Sequence, residues 1–407
     1  MTRNSSDVII IGGGFVGLTL AALLCRNGIT CTVVELQKDT KKDIKNTTDP
    51  RVLALSVATA QILTSIGIWQ MLPKDKIGQF KEMYVWDKNS KGEIHFNSAD
   101  ICQPVMGYIV AQSLIQDLLS SSIDGLAGVS IVQGCSIASY TADDNHVNVQ
   151  LTDGSQLTAQ LLVGADGAKS TARQVAGIEY TVHDYHQQAV TCIVKTAQPH
   201  GEIARQRFLD NGPLAFLPMA DPYTSSIVWS TNPEHALELK SMTTDEFNSE
   251  LQSAFENQLG AVMESGPRSD FPLTRAQAQC YCSDRFALIG DAAHNVHPLA
   301  GLGANLGILD AASLSEVIVD ARNKRRNIAS RSVLRRYERW RKGENYQIMM
   351  ILEGFKYLFE NQGDVVRNLR RFALSTANAL PYLKRQIMLR AMGVEGDIPN
   401  IVRESIN

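Results

Sequence analysis

An α/β fold assembled from discontinuous segments is the reading that three features of this 407-residue chain support. A β-branched run, Asp7–Ile11, leads into the turn Gly12-Gly13-Gly14-Phe15-Val16-Gly17 close to the start of the chain. Two later apolar runs end on Ala165-Asp166-Gly167 and on Gly290-Asp291-Ala292-Ala293-His294. Between them, from about Gly177, the pattern changes to longer alternating segments of the kind an antiparallel sheet requires. The Asp-bearing turns bracket that block, so a linear cut into two domains fails and one domain must be pieced together around an insertion.

The elements follow in order. Helix Phe15–Asn27 is ended by Gly28, and Thr30–Glu35 is a second buried strand, completing a βαβ unit. A helix over Ser56–Ile66 stops at Gly67. Phe80–Trp86 and Glu93–Asn97 read as a hairpin around residues 89–92. Gln112–Ile123 has helical apolar spacing, and Val129–Val132, His146–Leu151 and Leu157–Val163 are strands leading to Asp166. The inserted block holds strands Ala189–Thr196, Ala204–Leu209, Leu214–Pro218 and Ser226–Thr231. One covering helix, Thr243–Leu259, follows them with a threonine cap. Phe286–Ile289 returns to a buried strand, and beyond Gly303 the chain is mostly helical. The expected units are 1–75, 101–176 and 277–340 for the nucleotide domain, 76–100 and 177–276 for the sheet domain, and 341–407 for C-terminal helices.

Composition excludes several classes. A hydrophobic share of 44% with 20% charged residues suits a soluble enzyme with a real core, and a net charge of −3 gives no reason to expect nucleic acid. Seven cysteines, odd in number and without a C-x-x-C pair, read as buried thiols in a reducing cytoplasm. Val8–Ile11 is too short for a signal-peptide core, and no run of about 18–20 apolar residues predicts a membrane-spanning helix. Contact with a membrane surface stays open: Arg322–Lys342 holds ten Lys or Arg against one Glu.

The glycines carry chemistry. Gly12, Gly14 and Gly17 place a tight turn and a helix N-terminus where backbone can approach a pyrophosphate, and Glu35 ends the second strand where a carboxylate can accept ribose hydroxyls. That motif alone does not separate FAD from NAD. The strand-terminal acids Asp166 and Asp291, the latter preceded by Gly290, favour FAD, because an acid there can hold a ribityl chain. Asp291, His294 and His297 have a metal-like spacing. It would need a continuous helix, which Pro298 disfavours, so no metal is expected. With no Ser/His/Asp set and no reactive-cysteine context, the flavin must carry the chemistry.

On these segments the chain resembles the class A flavoprotein monooxygenases, the para-hydroxybenzoate hydroxylase fold. His297-Pro298-Leu299-Ala300-Gly301-Leu302-Gly303-Ala304-Asn305-Leu306-Gly307-Ile308-Leu309-Asp310 is similar to the signature of the ubiquinone-biosynthesis hydroxylases. So are Asp49-Pro50-Arg51-Val52-Leu53-Ala54-Leu55-Ser56 and Gly212-Pro213-Leu214-Ala215-Phe216-Leu217-Pro218. Leu302 stands where that family usually has Gln, and Gln112 where Arg or Asn is common. The resemblance implies an FAD-binding Rossmann-like domain with an inserted antiparallel-sheet substrate domain. It also implies NAD(P)H as a transient reductant and insertion of one oxygen of O2 into a polyprenylated phenol or quinol precursor. It places Arg51, Pro298, Gly301 and Gly303 at the chemistry. Gly12, Gly14, Gly17, Glu35, Arg51, Gln112, Asp166, Gly290, Asp291, Gly303, Ala304 and Asn305 fall on the cofactor. The helix after Gly303 would aim its positive end at the flavin. Other ubiquinone-biosynthesis proteins are implied partners, with a cytoplasmic place at the periphery of the inner membrane. Two alternatives stand: a hydroxylase of a small soluble aromatic acid, with Arg205 or Arg207 holding the carboxylate, or a flavin-loaded scaffold without turnover. Tyr108, His186 and Tyr223 read as packing residues rather than pocket groups.

Overall fold

A computed structural model describes residues 5–38, 51–88, 92–296, 301–360 and 381–403. Five parallel strands form the central sheet, in the order Phe286–Leu288, Leu161–Gly164, Val8–Ile11, Cys31–Glu35 and Val129–Gln133. Cys282–Ser283 adds an antiparallel edge. Val8–Ile11 and Leu161–Gly164 are buried at every position, as a sheet covered on both faces demands. Helix Phe15–Arg26 ends with Asn27 as its C-cap and Gly28 at φ +71°.

The single predicted strand Leu157–Val163 is two strands. Gln156–Ala159 belongs to a three-stranded antiparallel sheet with Ile137–Ala142 and Val147–Leu151, and Leu161–Gly164 to the parallel sheet. The chain changes sheets at Gln160, whose N–H, like that of Leu161, donates to the Asp7 carbonyl. Gln156–Gln160 alternates polar and apolar while Leu161–Val163 is uniformly apolar, so the change of period at Gln160 marks the break.

The inserted block is a nine-stranded sheet. Its spine runs Ser269–Ala278, Tyr180–Thr196, Thr224–Thr231, Gly212–Pro218, Ile203–Leu209, Glu82–Asp87 and Glu93–Asn97. Every junction of this spine is antiparallel except Ile203–Leu209 against Glu82–Asp87, which come from separate chain segments and run parallel. Two helices cover the sheet where one was expected. Pro233–Ser241 is capped by the Asn232 side chain, and Thr244–Ala254 by a Thr243/Glu246 capping box. Asn-Pro at 232–233 is the sequence signal for the start of the first of them. The centre of the expected hairpin turn, 89–91, lies outside the described residues.

Helix Leu302–Asn323 bears on the expectation that no helix spans a membrane. It is long and apolar enough to cross a bilayer, with an 18-residue window of mean hydropathy 1.4, yet 72% of that window is buried inside the protein. It packs between Phe15–Arg26 and the 30-residue helix Arg331–Glu360, as a core helix.

Candidate functional site

The three signature segments meet because their strands are neighbours. Ile11 pairs with Gly164 and with Val34, and Gly164 pairs with Leu288. Gly12, Ala165-Asp166, Gly290-Asp291 and Glu35 therefore all emerge from the carboxyl ends of adjacent parallel strands, where open α/β sheets bind ligands. Gly12 has φ +109°, and a Cβ there would lie 2.4 Å from the Ala165 carbonyl oxygen; one on Gly17 would lie 2.1 Å from the Gly12 oxygen. These two glycines are needed for close approach of protein to protein. Gly14 differs: it is exposed, and a Cβ on it would meet nothing within 4 Å. It caps the Phe15–Arg26 helix without a side-chain hydrogen bond, and no acid occupies the first turn. That leaves uncapped N–H groups and a positive dipole end facing open space, which fits a diphosphate.

Glu35 accepts from the Gly13 N–H (2.6 Å) and the Gln37 N–H (2.8 Å), which fixes its carboxylate at the strand end with lone pairs to spare. Asp291 reaches solvent through the cleft, although protein crowds it; that crowding pushes its carboxyl upward, against the pull of His294. Its carboxylate makes no hydrogen bond among the described residues. Asp166 is used otherwise. Its carboxylate accepts from the Ser170 hydroxyl and from the Ala172 N–H (3.0 Å), capping helix Thr171–Val175, so it shapes the cleft more than it offers a free acceptor. The cleft thus fits FAD through Gly14, the helix terminus, Glu35 and Asp291.

Arg173 ties two of the segments together. It is buried and donates to the carbonyls of Ala292 and Ala168 (2.9 Å each), with its guanidinium 3.6 Å over the Tyr180 ring. Behind Gly290 lies a buried charge centre that no local pattern announced. Asp310, fully buried, accepts from the Gly290 N–H (3.1 Å), the Arg341 Nε (2.7 Å) and the Asn345 amide (3.2 Å), and lies 2.5 Å from His294 Nε2. Burial alone would raise its carboxyl, but His294 and Arg341 outweigh that and hold it at about 2. The His294 ring nitrogen is thus occupied within the protein.

Next to the cleft is a cavity of about 250 Å³, walled by strand Val52–Ser56, the start of helix Leu302–Asn323 and one face of the nine-stranded sheet. Arg51, Gln112, Gly301, Leu302 and Asn305 line it together. Among the described residues Arg51 is its sole charged side chain. The helix begins at Leu302, with Gly301 at φ +62° as N-cap, so Gly303 lies inside its first turn rather than before it. A Cβ on Gly301 would sit 2.7 Å from that of Ala54. Asn305 is fully engaged: its amide donates to the carbonyls of Ala54 and Gly301, and its oxygen accepts from the Ser56 N–H and the Thr59 hydroxyl. It staples the helix to the cavity wall and has no hydrogen to offer a cofactor. Ala304 is half-buried against the core, and Pro298 and His297 lie outside the described residues.

Arg205 and Arg207 do not line the cavity. Arg207 donates to the Ala254 carbonyl and to Glu256 (2.6 Å) on the helix-covered side of the sheet, and Arg205 to the carbonyls of His200 and Ile203. Nor do Tyr108, edge-on to Trp69, or Tyr223 and His186, which are exposed.

Comparison with known proteins agrees with this geometry. Residues 5–350 match the family model described as "FAD binding domain". The chain is 32% identical to the 3-demethoxyubiquinol 3-hydroxylase of Escherichia coli, over 97% of this chain and 100% of that protein. It is 33% identical to the human mitochondrial ubiquinone biosynthesis monooxygenase COQ6, over 95% and 92% of the two chains. The crystal structure of p-nitrophenol 4-monooxygenase from Pseudomonas putida shares the fold, with TM-score 0.77 at 19% identity over 97% of this chain and 99% of that one. The chain belongs to the FAD-binding monooxygenases, in the family that includes the ubiquinone-biosynthesis hydroxylases.

Proposed function

We propose that this protein hydroxylates the aromatic ring of a polyprenylated phenol or quinol in ubiquinone biosynthesis, inserting one oxygen of O2 at the expense of NAD(P)H. One observation carries the substrate class: the cavity beside the cleft is mostly apolar, and its sheet wall presents no cation. A small aromatic acid would need a carboxylate partner there, and Arg205 and Arg207 point elsewhere. Full-length likeness to two enzymes named for ubiquinone chemistry supports the same choice.

Bound FAD supplies the redox and oxygen-activating chemistry. The chain's own residues do the rest. Gly14 and the helix terminus would hold the diphosphate, Glu35 the adenosine ribose and Asp291 the ribityl chain. Asp310 holds the Gly290 N–H and so positions the loop that carries Asp291. Apolar side chains around the cavity exclude water, which would otherwise divert reduced flavin toward hydrogen peroxide. Arg51 and Gln112 line the cavity and would stand where it meets the cofactor. We place segments 1–75, 101–176 and 277–340 in the FAD-binding unit, with 76–100 and 177–276 as the substrate unit.

A cytoplasmic enzyme working at the periphery of the inner membrane, beside other proteins of the pathway, is part of this reading. The basic C-terminal region contributes less free charge than its composition suggests. Arg322, Arg336, Arg341 and Lys342 all bond other parts of the protein.

The test is turnover by purified, FAD-loaded protein. NADH and NADPH oxidation and product mass are followed with 2-geranylphenol and with 4-hydroxybenzoate. Hydroxylation of the prenylated ring alone is expected; hydroxylation of the acid alone would reject the assignment, and no oxidation with either would favour the scaffold.

A further inference from the structure

Two polar side chains on the cavity's sheet wall have no structural explanation. Along Thr224–Thr231, alternation turns Ser226, Val228 and Ser230 toward the cavity and Ile227 and Trp229 into the core on the other side. Ser226 is 1% exposed and its Oγ has no hydrogen-bond partner among the described residues. Ser225 also lacks one, but it faces the opposite side and does not line the cavity. Gln206, 7% exposed, lines the cavity as well, and its amide makes no hydrogen bond among the described residues. A buried hydroxyl left unpaired is costly, and alanine would pack at Ser226 without that cost, while the Gln206 side chain lines the same cavity without a hydrogen-bond partner among the described residues.

Their placement relates them. Ser226 pairs with Leu217, and Gln206 pairs with Ala215 on the same strand, so one strand separates them on one face. Two strand spacings, with a two-residue offset along the strand between them, put their backbones about 12 Å apart, with small or apolar residues between. That is the room an aromatic ring occupies when an oxygen at each end accepts or donates a hydrogen bond. We infer that Ser226 and Gln206 hold two ring oxygens of the substrate and thereby select which ring carbon is hydroxylated. Both groups are neutral and can donate or accept, so the site takes a ring hydroxyl in its protonated form or a methoxy oxygen. The inference rests on the reading that the substrate is an oxygenated prenyl ring.

The experiment uses FAD-loaded parent protein, Ser226→Ala and Gln206→Leu, with 2-geranylphenol and its analogue bearing one added methoxy group. Ligand affinity is read from the change in flavin absorbance, turnover from KM, kcat and product per NAD(P)H, and the position of hydroxylation by NMR. Ser226→Ala should keep its FAD and have an unfolding midpoint no lower than the parent's, since it removes an unpaired buried group. One variant should lose about 2- to 12-fold in affinity for the methoxy ring and much less for the simple phenol, the range expected for one neutral hydrogen bond. Product per NAD(P)H should fall with it. If both variants match the parent on both rings in affinity, coupling and position, the inference is wrong while the hydroxylase assignment stands. If the parent neither binds nor converts either ring, both fall together.

Discussion

Replacing Arg341 by methionine tests whether the cleft depends on the charge centre behind it. Arg341 is 2% exposed and donates to Asp310 (2.7 Å) and Asn345 (2.8 Å). Removing one partner of a buried pair leaves the other uncompensated, at about 3–5 kcal/mol. The carboxyl itself gives a second figure. A shift from 3.8 to about 2 is on the order of 2 kcal/mol of stability, after burial has been subtracted from the pull of His294 and Arg341. The larger figure describes truncation and the smaller the net worth of the centre, so a loss of about 2–5 kcal/mol is expected. The pH dependence has a definite sign. Because the folded value lies below the unfolded one, this stability is fully present above pH 3.8 and disappears as pH falls through about 2. In Arg341→Met the carboxyl rises, so acid unfolding should begin at higher pH. Asp310 also holds the Gly290 N–H, so FAD affinity should fall with stability. Urea unfolding of the FAD-loaded protein at pH 7 and pH 5, with FAD dissociation followed by fluorescence, measures both. Arg341→Lys, which keeps the charge and loses the fork, should fall between. An Arg341→Met protein with the parent's unfolding midpoint and FAD affinity would refute the coupling of this centre to the cleft.

Three further outcomes follow from the cleft. Gly12→Ala should fail to fold stably, since its Cβ would overlap the Ala165 carbonyl, whereas Gly14→Ala should keep its unfolding midpoint and lose FAD affinity at least about tenfold; thermal unfolding and FAD titration separate the two. Asp291→Asn should stabilise the FAD-free protein. Its carboxyl is raised in the folded state, so ionisation subtracts stability as pH climbs above the ordinary carboxylate range; the variant should gain in unfolding temperature at pH 7 while binding FAD more weakly. Glu35→Gln should weaken FAD by about 10- to 100-fold, as expected for losing a charged acceptor, while binding of riboflavin phosphate, which has no adenosine, stays unchanged by the same titration.

The cleft was legible because its chemistry is local. A glycine at φ +109°, a helix terminus without a capping side chain and an acid at a strand end each leave a mark within a few residues, and their order along the chain restricts how the strands can neighbour one another. Asp166 shows how one acid can serve two readings. An acid after a strand looks the same whether it faces a ligand or caps the next helix, and here its carboxylate accepts from Ser170 and the Ala172 N–H. Asn305 is similar: the motif marks the residue, and only the structure shows its side chain making four hydrogen bonds to protein.

What stayed hidden is what depends on register between distant segments. Arg341 sits in a helix whose basic residues look like a solvated stripe, and nothing nearby distinguishes the one that turns inward to meet Asp310, 31 residues earlier. Arg205 and Arg207 were plausible anion ligands until pairing with Gly212–Pro218 and Glu82–Asp87 fixed which face each presents. That same alternation turns Gln206, between them, toward the cavity. A one-residue slip of this strand would exchange the two sets, lining the cavity with guanidinium groups and turning an apolar-ring site into an acid site. Substrate class in this fold is therefore decided by strand register as much as by residue type, and Gly212 has a physical part in it. At φ +139°, with a Cβ position 2.5 Å from the Ser230 carbonyl oxygen, it fixes the close approach at which Gly212–Pro218 meets Thr224–Thr231 and, through it, Ser226.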